Sequence, residues 1–334
     1  MTIRVIVSGA AGDVGQGVMK ALLNSSLDIE IYATCITPHS SWLHHRRVRG
    51  FIAPPSADVD YLSFMIRLIK SYDIDVFFPT IDGEIAKIAS EKDHIERESG
   101  CLVFVDSEDK VAISDDKFAT SEFLRSNGFP YPRSAIATES EARCLMKSHP
   151  GFPLVVKKRR GKGARDVYLV RNEQELEPYL GDSSFLIQEW LAPEQGEYTS
   201  GLYLGDDGEV KGVCTFRRQL KAGSTYIAER IVDPKLEGVL ESIALKLGAK
   251  YLNIQSMRRG HELIPFEFNG RFSGTISMVS KVFNAPEMFI RERILGERLV
   301  RINDPARFVA MRYNEEIYAS EDGVDALLER SKEI

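Results

Sequence analysis

The sequence predicts a chain that is α/β in its first third and α+β beyond, and three observations carry this. Short apolar runs alternate with longer helical patterns up to about residue 105. Gly128, Pro130 and Pro132 then close a helical stretch, and after them paired strand-like runs joined by glycine tips predominate. Alternating strands and helices imply a parallel sheet covered on both faces, whereas neighbouring strand pairs imply antiparallel hairpins.

In order, the first third reads as strand Ile3–Ser8, helix Asp13–Asn24, strand Glu30–Cys35, helix Tyr61–Ser71, strand Asp75–Pro79, helix Gly83–Glu98 and strand Leu102–Val105. One helical pattern runs from Ser107 to about Asn127, where a glycine cap and nearby prolines stop it and mark a domain boundary. Strand pairs follow at Phe152–Lys158 with Asp166–Val170, Glu197–Leu204 with Glu209–Phe216, and Tyr251–Arg258 with Glu262–Phe268. The tips Gly205–Gly208 and Arg259–His261 between alternating runs are hairpin signals. Helical segments Glu173–Leu180, Pro234–Leu247 and Ala285–Leu295 separate the pairs, and the tail after Phe308 reads as one strand and a closing helix.

Composition narrows the function classes. At 334 residues the chain is long enough for two or three units with a shared core. A net charge of -6 speaks against a dedicated nucleic-acid binder, which needs a net basic face to displace counterions. Cys35, Cys101, Cys144 and Cys214 are widely spaced, without a C-x-x-C pair, so the expectation is a reduced, cytoplasmic protein with neither disulfides nor a zinc knuckle. The start at Thr2–Ser8 runs straight into a glycine turn, with no targeting signal expected, and no apolar stretch approaches membrane-spanning length.

Gly9, Gly12 and Gly15 form G-x-x-G-x-x-G between the first strand and helix, the place of a dinucleotide pyrophosphate. The second strand, however, ends Ala33-Thr34-Cys35-Ile36-Thr37 without the acid that would hold the ribose hydroxyls, and no tyrosine is followed four places on by lysine. A tight turn with close helix–sheet packing is therefore the better reading, and an NAD-dependent oxidoreductase or epimerase the weaker alternative. Thr80 and Asp82 follow a strand at its C-terminal end, where they either meet a substrate or, for Asp82, cap a helix. His44-His45-Arg46-Arg47 reads as a solvated loop rather than a metal or nucleic-acid patch.

Two regions carry the chemistry. The apolar strand Pro153–Lys157 ends in a lysine and runs into Lys158-Arg159-Arg160-Gly161-Lys162-Gly163-Ala164-Arg165, cations beside glycines that suit polyphosphate oxygens. A hairpin tip in solvent would look similar, but Lys157 at the end of a buried-type strand emerges into a cleft. On the last hairpin, Gln255 faces a return strand on which Glu267, Asn269 and Arg271 share one side by period two, with Phe266, Phe268 and Phe272 packing the other. One carboxylate and two amides are hard oxygen donors appropriate to Mg²⁺, and the arginine can meet charge developing in phosphoryl transfer. Ser273-Gly274-Thr275 then opens a helix, a further phosphate-friendly element.

Pro153-x-x-x-Lys157 with its loop, Gln188-Glu189-Trp190-Leu191, Glu197, and Gln255 followed by Glu267-Phe-Asn269-Gly-Arg271-Phe-Ser273-Gly resemble the ATP-grasp enzymes, closest to the branch of the carbamoyl-phosphate synthase large subunit. The resemblance covers nearly the whole chain. It implies a Rossmann-like pre-ATP-grasp domain at 1–112, a small ATP-grasp subdomain with the phosphate loop at 113–184, and a C-terminal subdomain with the metal site at 185–334. By the same resemblance Lys117 and Lys157 hold ATP phosphates, the loop from Gly161 through Gly163 to Arg165 closes over them, and Gln188, Glu189 and Leu191 form the adenine hinge. Glu197 binds the ribose. Glu267 bridges two Mg²⁺ ions, for which Mn²⁺ can stand in, with Gln255 on one and Asn269 on the other, and Arg271 stabilises the transferring group. The loop is more charged than those common in the family, and Gln255 stands where relatives often carry an acid, although the carbamoyl-phosphate synthase branch tolerates glutamine there. The activity implied is an ATP-dependent ligase that joins a small-molecule carboxylate to an amine or ammonia through an acyl phosphate, with no nucleic acid or membrane partner and a homodimer compatible with it. The reading from another class is a non-catalytic nucleotide-binding protein, which the full set Glu267, Asn269 and Arg271 disfavours.

Overall fold

The computed structural model describes residues 1–148, 152–161, 166–193 and 196–334. Its strands are β1 Ile3–Val7, β2 Ile29–Cys35, β3 Val48–Ile52, β4 Val76–Phe78, β5 Leu102–Val103, β6 Ser134–Ile136, β7 Leu154–Lys158, β8 Val167–Val170, β9 Phe185–Glu189, β10 Glu197–Leu204, β11 Val210–Lys221, β12 Ser224–Ile231, β13 Tyr251–Arg259, β14 Glu262–Asn269 and β15 Val309–Met311. They form three sheets: a five-stranded one in the order β3-β2-β1-β4-β5, a four-stranded one in the order β6-β9-β7-β8, and a six-stranded one in the order β14-β13-β10-β11-β12-β15.

The first sheet is parallel throughout. Its central strand shows why the sequence reads as an apolar run: Val5 and Val7 enter one core cluster and Ile6 the other, so both faces are covered and every position but Arg4 is buried. The other two sheets are antiparallel where their named strands pair. The hairpins expected at β7/β8, β10/β11 and β13/β14 are all present.

Several boundaries differ from expectation for identifiable reasons. The pattern at Gly83–Glu98 is two helices, Asp82–Ser90 and Lys92–Ser99, and that at Ser107–Asn127 is also two, Glu108–Asp115 and Lys117–Ser126. The second break falls at Asp116, whose extended backbone (φ -107°, ψ 111°) lets its side chain cap the following helix. Residues 44–47 are not simply a solvated loop: Ser41–His44 is a 3-10 helix, and the His45 ring stacks on Trp42 with centroids 5.0 Å apart.

One core runs from the first sheet into the C-terminal part. Phe78 and Phe104 from the parallel sheet side meet Phe272 and Phe289, and the Phe104 and Phe272 rings stack at 4.4 Å. The closing helix Glu321–Lys332 returns to β3, where Ser331 accepts from the Ile52 amide at 2.8 Å.

Candidate active site

The glycine turn after β1 is a packing device. A Cβ on Gly15 would lie 2.4 Å from the Gly9 carbonyl oxygen, and one on Gly17 would lie 2.6 Å from Ile276 Cγ2, so the helix Asp13–Leu23 sits hard against both the turn and the C-terminal part. Gly9 itself has φ +64°. This places Asp13 and Val14 on the edge of a cavity of about 850 Å³.

That cavity lies between the four- and six-stranded sheets and reaches the C-terminal ends of β1 and β4, the place where α/β sheets present their ligands. Each described residue assigned to the site from sequence lines it: Lys117, Lys157, Gly161, Gln188, Glu189, Leu191, Glu197, Gln255, Glu267, Asn269 and Arg271. Gly163 and Arg165 lie outside the described residues.

Period two on β7 sends Leu154 and Val156 into the core and Val155 and Lys157 to the cavity. Lys157 is only 5% exposed, and its ammonium stands 5.1 Å from the Phe266 ring centroid. Burial, seconded by the like charge of Lys117 and opposed by Glu267, brings its pKa down to about 8. Phe266 faces the cavity, contrary to the expected alternation. The β13/β14 register shifts between Gln255 and Ser256, pairing Gln255 with Glu267 but Ser256 with Pro265, so Phe266 has no cross-strand partner and turns under Lys157.

Lys117 begins the helix Lys117–Ser126, and its ammonium donates to the Gly161 carbonyl at 3.1 Å and lies 4.0 Å from Glu267 Oε2. What holds it there is Asp116. That carboxylate accepts from the Phe118 and Ala119 amides at 2.9 and 3.4 Å and from Arg159 Nε and Nη2 at 3.2 and 2.6 Å. Burial would raise the Asp116 carboxyl, but these donors hold it below the usual range. Asp116 and Arg159 were not singled out from sequence, although an aspartate just before a helix is a legible capping signal.

On the six-stranded sheet the assigned oxygens are already engaged. Glu197 Oε1 accepts from Arg218 Nε at 3.1 Å and from Arg218 Nη2, which also donates to Gln255 Oε1 at 2.9 Å. Gln255 Nε2 points at Glu267 Oε1 from 3.5 Å. Gln255 thus turns its amide nitrogen towards Glu267. Asn269 donates through Nδ2 to Asn253 Oδ1 at 3.4 Å, keeping its own oxygen for another partner, and the fully buried Asn253 is fixed by Thr199 and Ser200. Arg218 and Asn253 are further site residues that sequence reasoning missed, because only sheet pairing brings them to Gln255 and Asn269.

At the far end Arg271 Nε donates to Asp82, and Nη1 to the Phe272 carbonyl at 2.6 Å. Asp82 therefore does not cap its helix. Ile81 is the N-cap residue there, and the buried Glu84 accepts from the Thr80 and Ile81 amides at 2.8 and 2.9 Å. Thr80 is no substrate contact either, since it is 5% exposed and its hydroxyl donates to the Ser8 carbonyl at 2.6 Å. Ser273 and Thr275 hydroxyls bond each other at 2.9 Å, and the helix they open, Ile276–Val279, has only four residues, too short for the phosphate element expected. On β9, Glu189 directs Oε1 to Arg259 at 2.7 Å and Oε2 to the Arg133 amide at 3.2 Å, while Gln188 donates to Ser134 Oγ at 2.8 Å.

Two antiparallel sheets thus close on one cavity that gathers two lysines, a carboxylate, amides and an arginine. Residues 114–256 match the model of the ATP-grasp domain. The chain is similar to the carbamoyl phosphate synthase large chain of Rubrobacter xylanophilus, 27% identical over 230 residues that make up 60% of this chain and 21% of that protein. The corresponding protein of Campylobacter jejuni is 27% identical over 203 residues, 56% of this chain and 19% of its own length. The chain thus spans about a fifth of the curated relatives it matches. Among solved structures, N5-carboxyaminoimidazole ribonucleotide synthetase from Thermus thermophilus superposes with a TM-score of 0.70 at 16% identity, covering 92% of this chain and 82% of that one. The biotin carboxylase domain of Hydrogenobacter thermophilus 2-oxoglutarate carboxylase gives 0.67 at 18% identity, covering 90% and 72%. These two share the fold.

Proposed function

We propose that this chain is an ATP-dependent carboxylate–amine or ammonia ligase. One observation carries the reading: Lys117, Lys157, Glu267, Asn269 and Arg271, drawn from three separate stretches of sequence, line a single cavity of about 850 Å³. Carbamoyl phosphate synthase, N5-carboxyaminoimidazole ribonucleotide synthetase and biotin carboxylase are the names its relatives and fold neighbours bear, and they support it. In this reading residues 1–112 are a Rossmann-like pre-ATP-grasp domain, 113–184 the small ATP-grasp subdomain and 185–334 the C-terminal one, in a cytoplasmic protein. No described helix is long and apolar enough to cross a membrane.

The Glu267 carboxylate and the Asn269 amide oxygen are a hard donor pair that fits Mg²⁺, and the ion when bound shields phosphate charge. Lys117 and Lys157 hold phosphate oxygens, and Val167 and Leu169 offer apolar surface to the base. The substrate carboxylate oxygen attacks the γ-phosphorus, the bond to the β-phosphate oxygen breaks, and ADP leaves. Arg271 stabilises charge on the acyl phosphate and on the tetrahedral state formed when the amine attacks its carbonyl carbon. Loss of a proton from the amine and departure of phosphate leave the amide.

The test is phosphate release from Mg-ATP with a pool of carboxylates and amines, in wild type and Glu267→Gln. Release that depends on the pool and is lost in the variant is expected. Release absent from every mixture, or unchanged in Glu267→Gln, would overturn the ligase reading.

A further inference from the structure

We propose that Glu84 is a positioning residue for the reaction, acting through Asp82 on Arg271. The inference rests on the ligase reading above for the role of Arg271. Glu84 is fully buried and stands in the first turn of the helix Asp82–Ser90. Its Oε1 accepts from the Ser8 hydroxyl and from the Thr80 and Ile81 amides, the last two at 2.8 and 2.9 Å, and its Oε2 accepts from the Tyr61 hydroxyl. Ser8 directly follows β1, Thr80 and Ile81 lie just past β4, and Tyr61 opens the helix Tyr61–Ser71. One buried carboxylate thus fastens three elements at the C-terminal edge of the parallel sheet. Thr80 adds a second tie, its hydroxyl donating to the Ser8 carbonyl at 2.6 Å.

Asp82 lies inside this knot. Glu84 holds the two amides that precede Asp82 and is itself two residues beyond it, so the backbone that carries the Asp82 carboxylate is fixed from both sides. Hydrogen bonds to a carboxylate are shorter than neutral ones and about twice as strong, so residues 80–84 are held more stiffly than a helix cap requires. The Asp82 carboxylate receives Arg271 Nε, and both residues line the cavity. Arg271 also donates to the carbonyl of its neighbour Phe272, which moves with it, so Asp82 gives the guanidinium its bearing relative to the first sheet.

Two variants test this. Glu84→Gln keeps the volume and leaves one acceptor oxygen, and Tyr61→Phe removes one donor from the same carboxylate. Each is read by phosphate release per folded molecule, by affinity for a non-hydrolysable ATP analogue, and by the Nε–H resonance of Arg271, assigned through its loss in Arg271→Met. Glu84→Gln is expected to lower turnover about tenfold, to keep analogue affinity and to shift that resonance, and Tyr61→Phe to do the same more weakly. In an Arg271→Met background Glu84→Gln should cost nothing further, since the group it aims is gone. An equal further loss in that background, an unmoved resonance, or unchanged turnover in both variants overturns the proposal. If Glu84→Gln does not unfold cooperatively, Tyr61→Phe carries the same measurements. Absence of phosphate release from wild type would instead remove the ligase reading, a distinct result, and the resonance then still decides whether Glu84 positions Arg271.

Discussion

The two walls at the far end of the cavity are built by opposite means. The β1 wall is made by leaving side chains out: Gly15 lets the helix carrying Asp13 approach until a single added carbon would sit 2.4 Å from a carbonyl oxygen. The β13/β14 wall is made by side chains, with Glu267, Asn269 and Arg271 projecting towards the same space. Both stretches look like ligand motifs as text. Only the second presents chemistry, and the first sets where the second finds its partner, Asp82.

Variants on the two walls should therefore separate activity from stability. The largest effect is expected from Arg271→Met, which should lower ligand-dependent phosphate release by about 10²–10³-fold with the melting temperature nearly kept; a comparable loss of melting temperature would break the contrast. Gly15→Ala should do the reverse, destabilising the fold by about 3 kcal/mol, read by denaturant unfolding, with activity per folded molecule retained.

Lys157 sharpens the contrast through pH. Its folded pKa of about 8 lies below the ordinary lysine value, so between there and about 10.4 the unfolded chain binds more protons and stability rises with pH. Anion binding needs the charged form. Affinity for an ATP analogue should thus weaken above pH 8, by up to about tenfold per unit, and the pH dependence should vanish in Lys157→Met; the same slope in the variant would assign it elsewhere. The smallest effect belongs to the contact between the walls: Asp82→Asn should cost about 1–2 kcal/mol, divided between stability and turnover, since it removes the charge that aims Arg271.

Not every strand was equally legible. The face of β7 that carries Lys157 follows from period two, and the β10/β11 and β13/β14 pairs are announced by the turn residues between them. β12 was hidden because its buried positions are Thr225, Ala228 and Arg230, and a buried arginine defeats a hydrophobic pattern. Phe266 was assigned to the wrong face because a bulge shifts the alternation by one residue, which local pattern does not announce.

By itself the sequence determined the alternation of strands and helices in the first third, the three hairpins and the identity of the charged groups, because backbone geometry imposes its period on a half-buried segment. The partners of those groups were decided only in three dimensions. Arg218 reaches Gln255 because β10 lies between β11 and β13, Arg271 reaches Asp82 because an aromatic core binds the two parts, and the closing helix packs on β3, with Ser331 bonded to Ile52 279 positions away. Such contacts depend on which surfaces the folded chain brings together, and a buried polar group takes whatever partner is within reach.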